Sequence, residues 1–169
     1  MNIDLQEILP ADFHPQSKVW IYQSSRLFGM SEAFELEELF EQFLKGWMSH
    51  GAPVKGYINL FYGQFIVLIA DETSTKVGGC STDTSIHFIK DLEQKFKIDL
   101  LNRQNLAFYI KDRVQILPLP QLNHALDNGF ISGDTLYFNN LVATKEELIN
   151  NWLIPAKESW LGRKMGVKN

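Results

Sequence analysis

The chain has 169 residues, 45% of them hydrophobic and 21% charged, with a formal net charge of −4 and a pI near 5.5. That length suits one domain able to bury a core without disulfides or a structural metal, and no apolar run approaches the ~18 residues of a membrane helix. Phosphate contacts need a cationic surface, so the acidic balance argues against nucleic acid as a partner. The short basic tail of Arg163, Lys164 and Lys168 reads as a solvated terminus. The single cysteine excludes an internal disulfide and a cysteine-rich zinc site and agrees with a reducing compartment. Asp4 and Glu7 stand where a secretory signal would carry Lys or Arg, so the expected location is cytoplasmic.

The first seventeen residues, with Pro10 and Pro15, read as an irregular lead-in with one helical turn at Leu5 to Leu9. Lys18 to Ser24 is β-branched and aromatic and reads as a strand. Ser31 opens a helix with Glu32, Glu35, Glu37 and Glu38 at its positive end and an apolar face from Leu36 to Trp47; Gly46, Gly51 and Pro53 end it. Val54 to Phe61 and Gln64 to Asp71 form a hairpin around Tyr62-Gly63. A second helix is expected to start near Asp83 or Thr84 and to bury Ile86, Ile89, Leu92 and Phe96. Asn105 to Ile110 and Val114 to Leu117 form another hairpin. Beyond Pro118 and Pro120 come a short helix at Gln121 to Asp127, a strand at Thr135 to Phe138, and a helix from Lys145 to Trp152, introduced by the capping-box pair Thr144 and Glu147 and stopped by Pro155.

The first six elements run β, α, β, β, α, β. This order predicts an α+β fold, a ferredoxin-like βαββαβ core with an antiparallel sheet, in one domain spanning 1–169: a core of 18–117 and a C-terminal extension of 118–169 docked on it. In that plan His50 comes to the same end of the sheet as Asp71, Glu72, Cys80 and Asp83, and the turn at Asp112-Arg113 joins them.

The stretch from Gln64 to Phe96 is where chemistry is expected. A buried-type strand ends in Asp71-Glu72, and the loop Gly78-Gly79-Cys80-Ser81-Thr82-Asp83 leads into a helix. A thiolate at a helix N-terminus is favoured by the dipole, which makes Cys80 a candidate nucleophile with His50 as its base and the N–H groups of Ser81 to Asp83 as oxyanion donors. The competing reading of Cys80 is a small buried packing residue. Asp71, Glu72 and Asp83, with His50 and His87, supply oxygen and nitrogen donors for a hard cation, but their spacing matches no standard loop, and Asp83 also reads as a helix cap. A small molecule or anion bound near Cys80 by Asp71, Glu72, Ser81 and Asp83 is the expected partner, and no cofactor is implied. Trp20 and Tyr22 share one strand face; base stacking and core packing both use such pairs, and packing suits the acidic chain. Trp152 and Trp160 suggest that the C-terminal segment folds back over a sheet face that would otherwise stay open or pair with a second copy as a homodimer.

Val19-Trp20-Ile21-Tyr22-Gln23, His50-Gly51, Phe65-Ile66-Val67-Leu68 with Asp71-Glu72, and Gly79 to Ser85 together resemble a family of uncharacterised bacterial proteins, some of them labelled "ABC transporter ATPase". The resemblance spans most of the chain and implies no known activity. Phosphate cradling in such ATPases needs Gly-x-x-x-x-Gly-Lys-Ser/Thr, and no segment supplies it. The expectations are therefore a ligand- or partner-binding protein, a cysteine-nucleophile enzyme, or a homodimeric interaction module.

Overall fold

The computed structural model describes residues 3–166, so Lys168 lies outside the described residues. In chain order the elements are α1 (Leu5–Ile8), β1 (Lys18–Gln23), α2 (Met30–Gly46), β2 (Met48–Ser49), β3 (Ala52–Pro53), β4 (Lys55–Phe61), β5 (Phe65–Asp71), α3 (Gly79–Phe96), β6 (Asn105–Ile110), β7 (Arg113–Pro118), α4 (Leu122–Asp127), β8 (Leu136–Phe138), α5 (Lys145–Asn151), β9 (Leu153–Pro155) and α6 (Leu161–Lys164). The fold class is α+β with antiparallel sheets. Among the described residues no helix is long and apolar enough to cross a membrane.

Two sheets carry the architecture. The first has the order β1-β5-β4, the second β7-β6-β8-β9. Every residue of β5 is buried. Pleating sends Ile66, Leu68 and Ala70 towards Leu36 and Phe40 of α2 and Ile89, Leu92 and Phe96 of α3. It sends Phe65, Val67 and Ile69 towards Ala107, Phe138, Leu148 and Trp152 of the second layer. The second sheet alternates too: Leu106, Phe108 and Tyr137 face away from the first sheet, onto Leu122 and Ala125 of α4 and Leu161 of α6. The layers therefore run helices, sheet, sheet, helices. Trp20 and Tyr22 serve the core, Trp20 edge-on to Trp47 with ring centroids 6.4 Å apart and Tyr22 buried.

The order β1-β5-β4 is that of the first three strands in a ferredoxin-like plan, but the plan's fourth strand, β6, pairs with β7 and β8 instead of β1. The strand order thus does not confirm the full ferredoxin-like topology. β6 is apolar on both faces, which suits a strand covered on both sides, and the second sheet provides that cover. The seam expected between 117 and 118 falls inside the fold, because β6 and β7 share a sheet with β8 and β9. The turn at Lys111-Asp112 also lies elsewhere than expected: the Tyr109 ring sits 5.5 Å from that of Tyr62, so this turn is at the β4–β5 hairpin end, opposite His50.

Three tight hairpins use left-handed residue pairs, His50-Gly51, Tyr62-Gly63 and Lys111-Asp112, the backbone that matches strand twist. α3 starts at Gly79 with Gly78 as its cap, several residues before Asp83. The cap is made by Ser81, whose Oγ accepts the Gly78 N–H at 2.9 Å, so Asp83 stands inside the second turn and is not the N-cap. α5 stops at Asn151 because the next residues pair with β8 as β9.

The C-terminal segment packs against the first sheet. Trp152 is 1% exposed and packs against Phe65 and Phe138, with ring centroids 5.2 and 5.3 Å away. Both faces of the first sheet are thereby covered by the chain itself, which removes the open face that a homodimer was expected to use. Phe65→Ala is expected to cost about 3–5 kcal/mol, measured as a lower urea midpoint, because the ring's void is walled by other rigid aromatics.

Candidate functional site

The end of the first sheet where chemistry was expected is well built, though for holding the chain together. The β2–β3 hairpin docks on the start of α3: Trp47 Nε1 donates to Ser81 O at 2.9 Å, and Ser49 Oγ donates to Lys76 O at 2.6 Å. His50, at the hairpin tip, does approach the loop, since a Cβ built on Gly78 would lie 3.1 Å from its Nε2. Cys80 is exposed in the first turn of α3, so it is not a packing residue. No hydrogen bond joins it to His50 among the described residues, and the Cys80 carbonyl is occupied by Thr84 Oγ1 at 2.9 Å. Ser81 is buried as a capping side chain, while Asp83 and His87 are exposed on α3.

Asp71 and Glu72 are consumed internally. Asp71 is 2% exposed, accepts the His14 N–H at 2.9 Å, and accepts both the Thr73 N–H (2.8 Å) and hydroxyl (2.6 Å). Lys55 Nζ lies 3.7 Å from it and also 3.1 Å from Asp12. Burial alone would raise the Asp71 pKa; the hydrogen bonds from Thr73 and His14, helped by Lys55, outweigh it and hold the carboxyl below its ordinary value. Glu72 accepts the Val77 N–H at 2.8 Å and pairs with Lys18 at 3.2 Å. The lead-in is pinned from its other side by the buried Lys145, whose Nζ donates to Pro10 O (2.7 Å) and Phe13 O (2.9 Å). Among the described residues no group of three or more His, Cys, Asp or Glu side chains can hold a metal ion, which sets aside the cation arrangement considered for His50, Asp71, Glu72, Asp83 and His87.

A cavity of about 160 Å³ lies elsewhere, along the outer edge of β1. One wall is the loop carrying Leu101 and Arg103; the other is Asn140, Leu141 and Trp160. A shallower hollow continues it towards Val19 and Ala143. The slot exists because β6 did not take the place beside β1. Only the near half of that edge is paired, by Val19 N–H to Ala143 O at 3.0 Å and Lys145 N–H to Ser17 O at 2.9 Å. By strand parity Ile21 and Gln23 aim their backbone groups the same way, and among the described residues no backbone bond engages them.

The slot is polar at its ends and apolar on its walls. Gln23 spans the sheets, its Nε2 donating to Asn105 O at 3.1 Å and its Oε1 accepting from Asn140 Nδ2 at 3.0 Å. Asn140 Oδ1 in turn accepts from Trp152 Nε1 at 2.9 Å. Trp160 Nε1 donates to the Tyr137 hydroxyl at 3.1 Å. Among the described residues no Asp or Glu lines the cavity, and Arg103 is its only charged residue. Burial raises the Tyr22 pKa; Ser85 and the nearby Arg103 charge act in the opposite sense. Neither Arg103 nor Asn140 was singled out from sequence, because Asn-Arg-Gln-Asn after a helix reads as an ordinary polar turn. Comparison of the chain with protein-family models, with curated proteins and with solved structures finds no match.

Asp71→Asn should lose about 2–4 kcal/mol of unfolding free energy at pH 7, since it leaves Lys55 and two N–H groups against a neutral amide in a buried site. A carboxyl with a lowered folded pKa stabilises above its unfolded value, near 3.8, and that contribution is lost as the pH falls below it. The gap between wild type and variant should therefore narrow below about pH 4, read by urea denaturation across pH.

Proposed function

We propose that this protein binds a small anionic molecule in the slot along the outer edge of β1. Arg103 carries the reading: it is the only charge in a cavity that holds no carboxylate, on a chain whose net charge is −4. A guanidinium matches a carboxylate in shape and charge, and the Leu101, Leu141 and Trp160 walls suit an apolar body. The cavity measures about 160 Å³ and opens into an adjoining hollow of about 350 Å³, which suits a small organic anion. The β1-α2-β4-β5-α3 half is read as a ferredoxin-like unit whose fourth-strand place has become the site. The kinship with uncharacterised bacterial proteins and a cytoplasmic location fit a ligand-binding role and add no reaction. Calorimetric titration with a panel of small carboxylates tests it. A binder should lose at least about tenfold in affinity in Arg103→Gln, while the free variant keeps its stability within ~0.5 kcal/mol, as expected for an exposed side chain. A panel without a binder, or affinity indifferent to Arg103, would sink the reading.

A second reading keeps Cys80 as a nucleophile, favoured by its exposure in the first turn of an 18-residue helix close to His50. Native-state alkylation by iodoacetamide separates the two. An exposed thiol reacts without denaturant in either case, but only the nucleophile reading predicts that His50→Gln slows the reaction about tenfold at pH 7.

A further inference from the structure

We infer that the ligand of this slot carries a secondary amide beside its carboxylate, an N-acyl amino acid being the smallest such molecule; this rests on the slot being the small-anion site proposed above. A strand edge offers an N–H and a C=O from one residue side by side, and the complement of that pair is the N–H and C=O that flank the Cα of another residue, which in an N-acyl amino acid are its amide N–H and one carboxylate oxygen. Ile21 presents such a pair at the cavity with no backbone partner among the described residues. Half-buried backbone groups of this kind are satisfied in nearly all folded proteins, so the edge favours an occupant that pairs with both.

The chain itself shows the pairing one step away. Thr144 bridges Lys18, with Ala143 O accepting from Val19, and the segment then leaves the edge in the turn closed by Val142 N–H to Asn139 O at 3.3 Å. The next place along β1 is Ile21, two residues or ~6.7 Å further on. A ligand amide N–H donating to Ile21 O, with one carboxylate oxygen accepting from Ile21 N–H, continues a ladder that the chain has begun. Its other carboxylate oxygen can then meet Arg103, and a branched apolar side chain fills the space between Leu101 and Leu141.

Four probes decide it by calorimetry on the full chain: N-acetyl-leucine; its ester isostere 2-acetoxy-4-methylpentanoate, with oxygen in place of the amide N–H; N-acetyl-leucinamide, without the carboxylate; and 4-methylpentanoate, without the amide. The expected result is that N-acetyl-leucine binds and the other three are each weaker by about tenfold or more, the ester because its oxygen faces the Ile21 carbonyl. Its affinity should also fall at least about tenfold in Arg103→Gln. If the ester or 4-methylpentanoate binds as well as N-acetyl-leucine, and Arg103→Gln weakens them, the amide inference is overturned and the anion site stands. If no probe binds at millimolar concentration, or binding ignores Arg103, both are overturned.

Discussion

The constraint on which the rest of this structure depends is the complete burial of β5. Phe65 to Asp71 pairs with a strand on each edge and is covered on each face, so its apolar run is buried throughout. A strand of that kind cannot belong to a two-layer domain with one wet sheet face. The helices α2 and α3 supply one cover. The other must come from the second half of the chain, and the second sheet with Trp152 supplies it. The aromatic cluster of Tyr62, Phe65, Phe138 and Trp152 is the seam along which the two halves close.

This solution has a geometric consequence. By placing β6 in the second sheet, the fold leaves β1 as an edge strand, and an edge strand exposes unpaired N–H and C=O groups. The chain manages half of that liability with residues 143–145 and encloses the other half between the Arg103 loop and the Leu141–Trp160 wall. The polar chain from Asn105 through Gln23 and Asn140 to Trp152 ties the walls to the core. The result is a recess with unpaired backbone groups along one side. Protein pockets of this kind are typically preformed, apolar on the sides and polar at a few points.

The loop end shows why residue type alone misleads. Asp71, Glu72, Ser81 and His50 lie at one end of the first sheet. The valences of Asp71, Glu72 and Ser81 are spent on Thr73, His14, Lys55, Val77 and Gly78, so much of a constellation suggestive of catalysis serves to anchor the lead-in and cap a helix. Ligand-binding carboxylates need free lone pairs, and Asp71 keeps its charge by giving those lone pairs to the protein.

Much was legible in the sequence because the physics involved is local. Hydrophobic period placed β1, α2, β4, β5 and α5 within a few residues, Tyr62-Gly63 marked its hairpin, Thr144 and Glu147 their cap, and the unbroken apolar run of β5 its burial. α3 was dated late because its cap uses glycine backbone and a serine hydroxyl, which carry weaker signals than Asp83. What only the tertiary structure decided is which strands pair. β6 reads the same whether it lies beside β1 or over it, since an apolar strand is satisfied by any dry neighbour. That choice turned on contacts between residues far apart in the chain, Phe138 and Trp152 against Phe65. The site followed from it, because a strand edge becomes a slot only when its neighbour goes elsewhere.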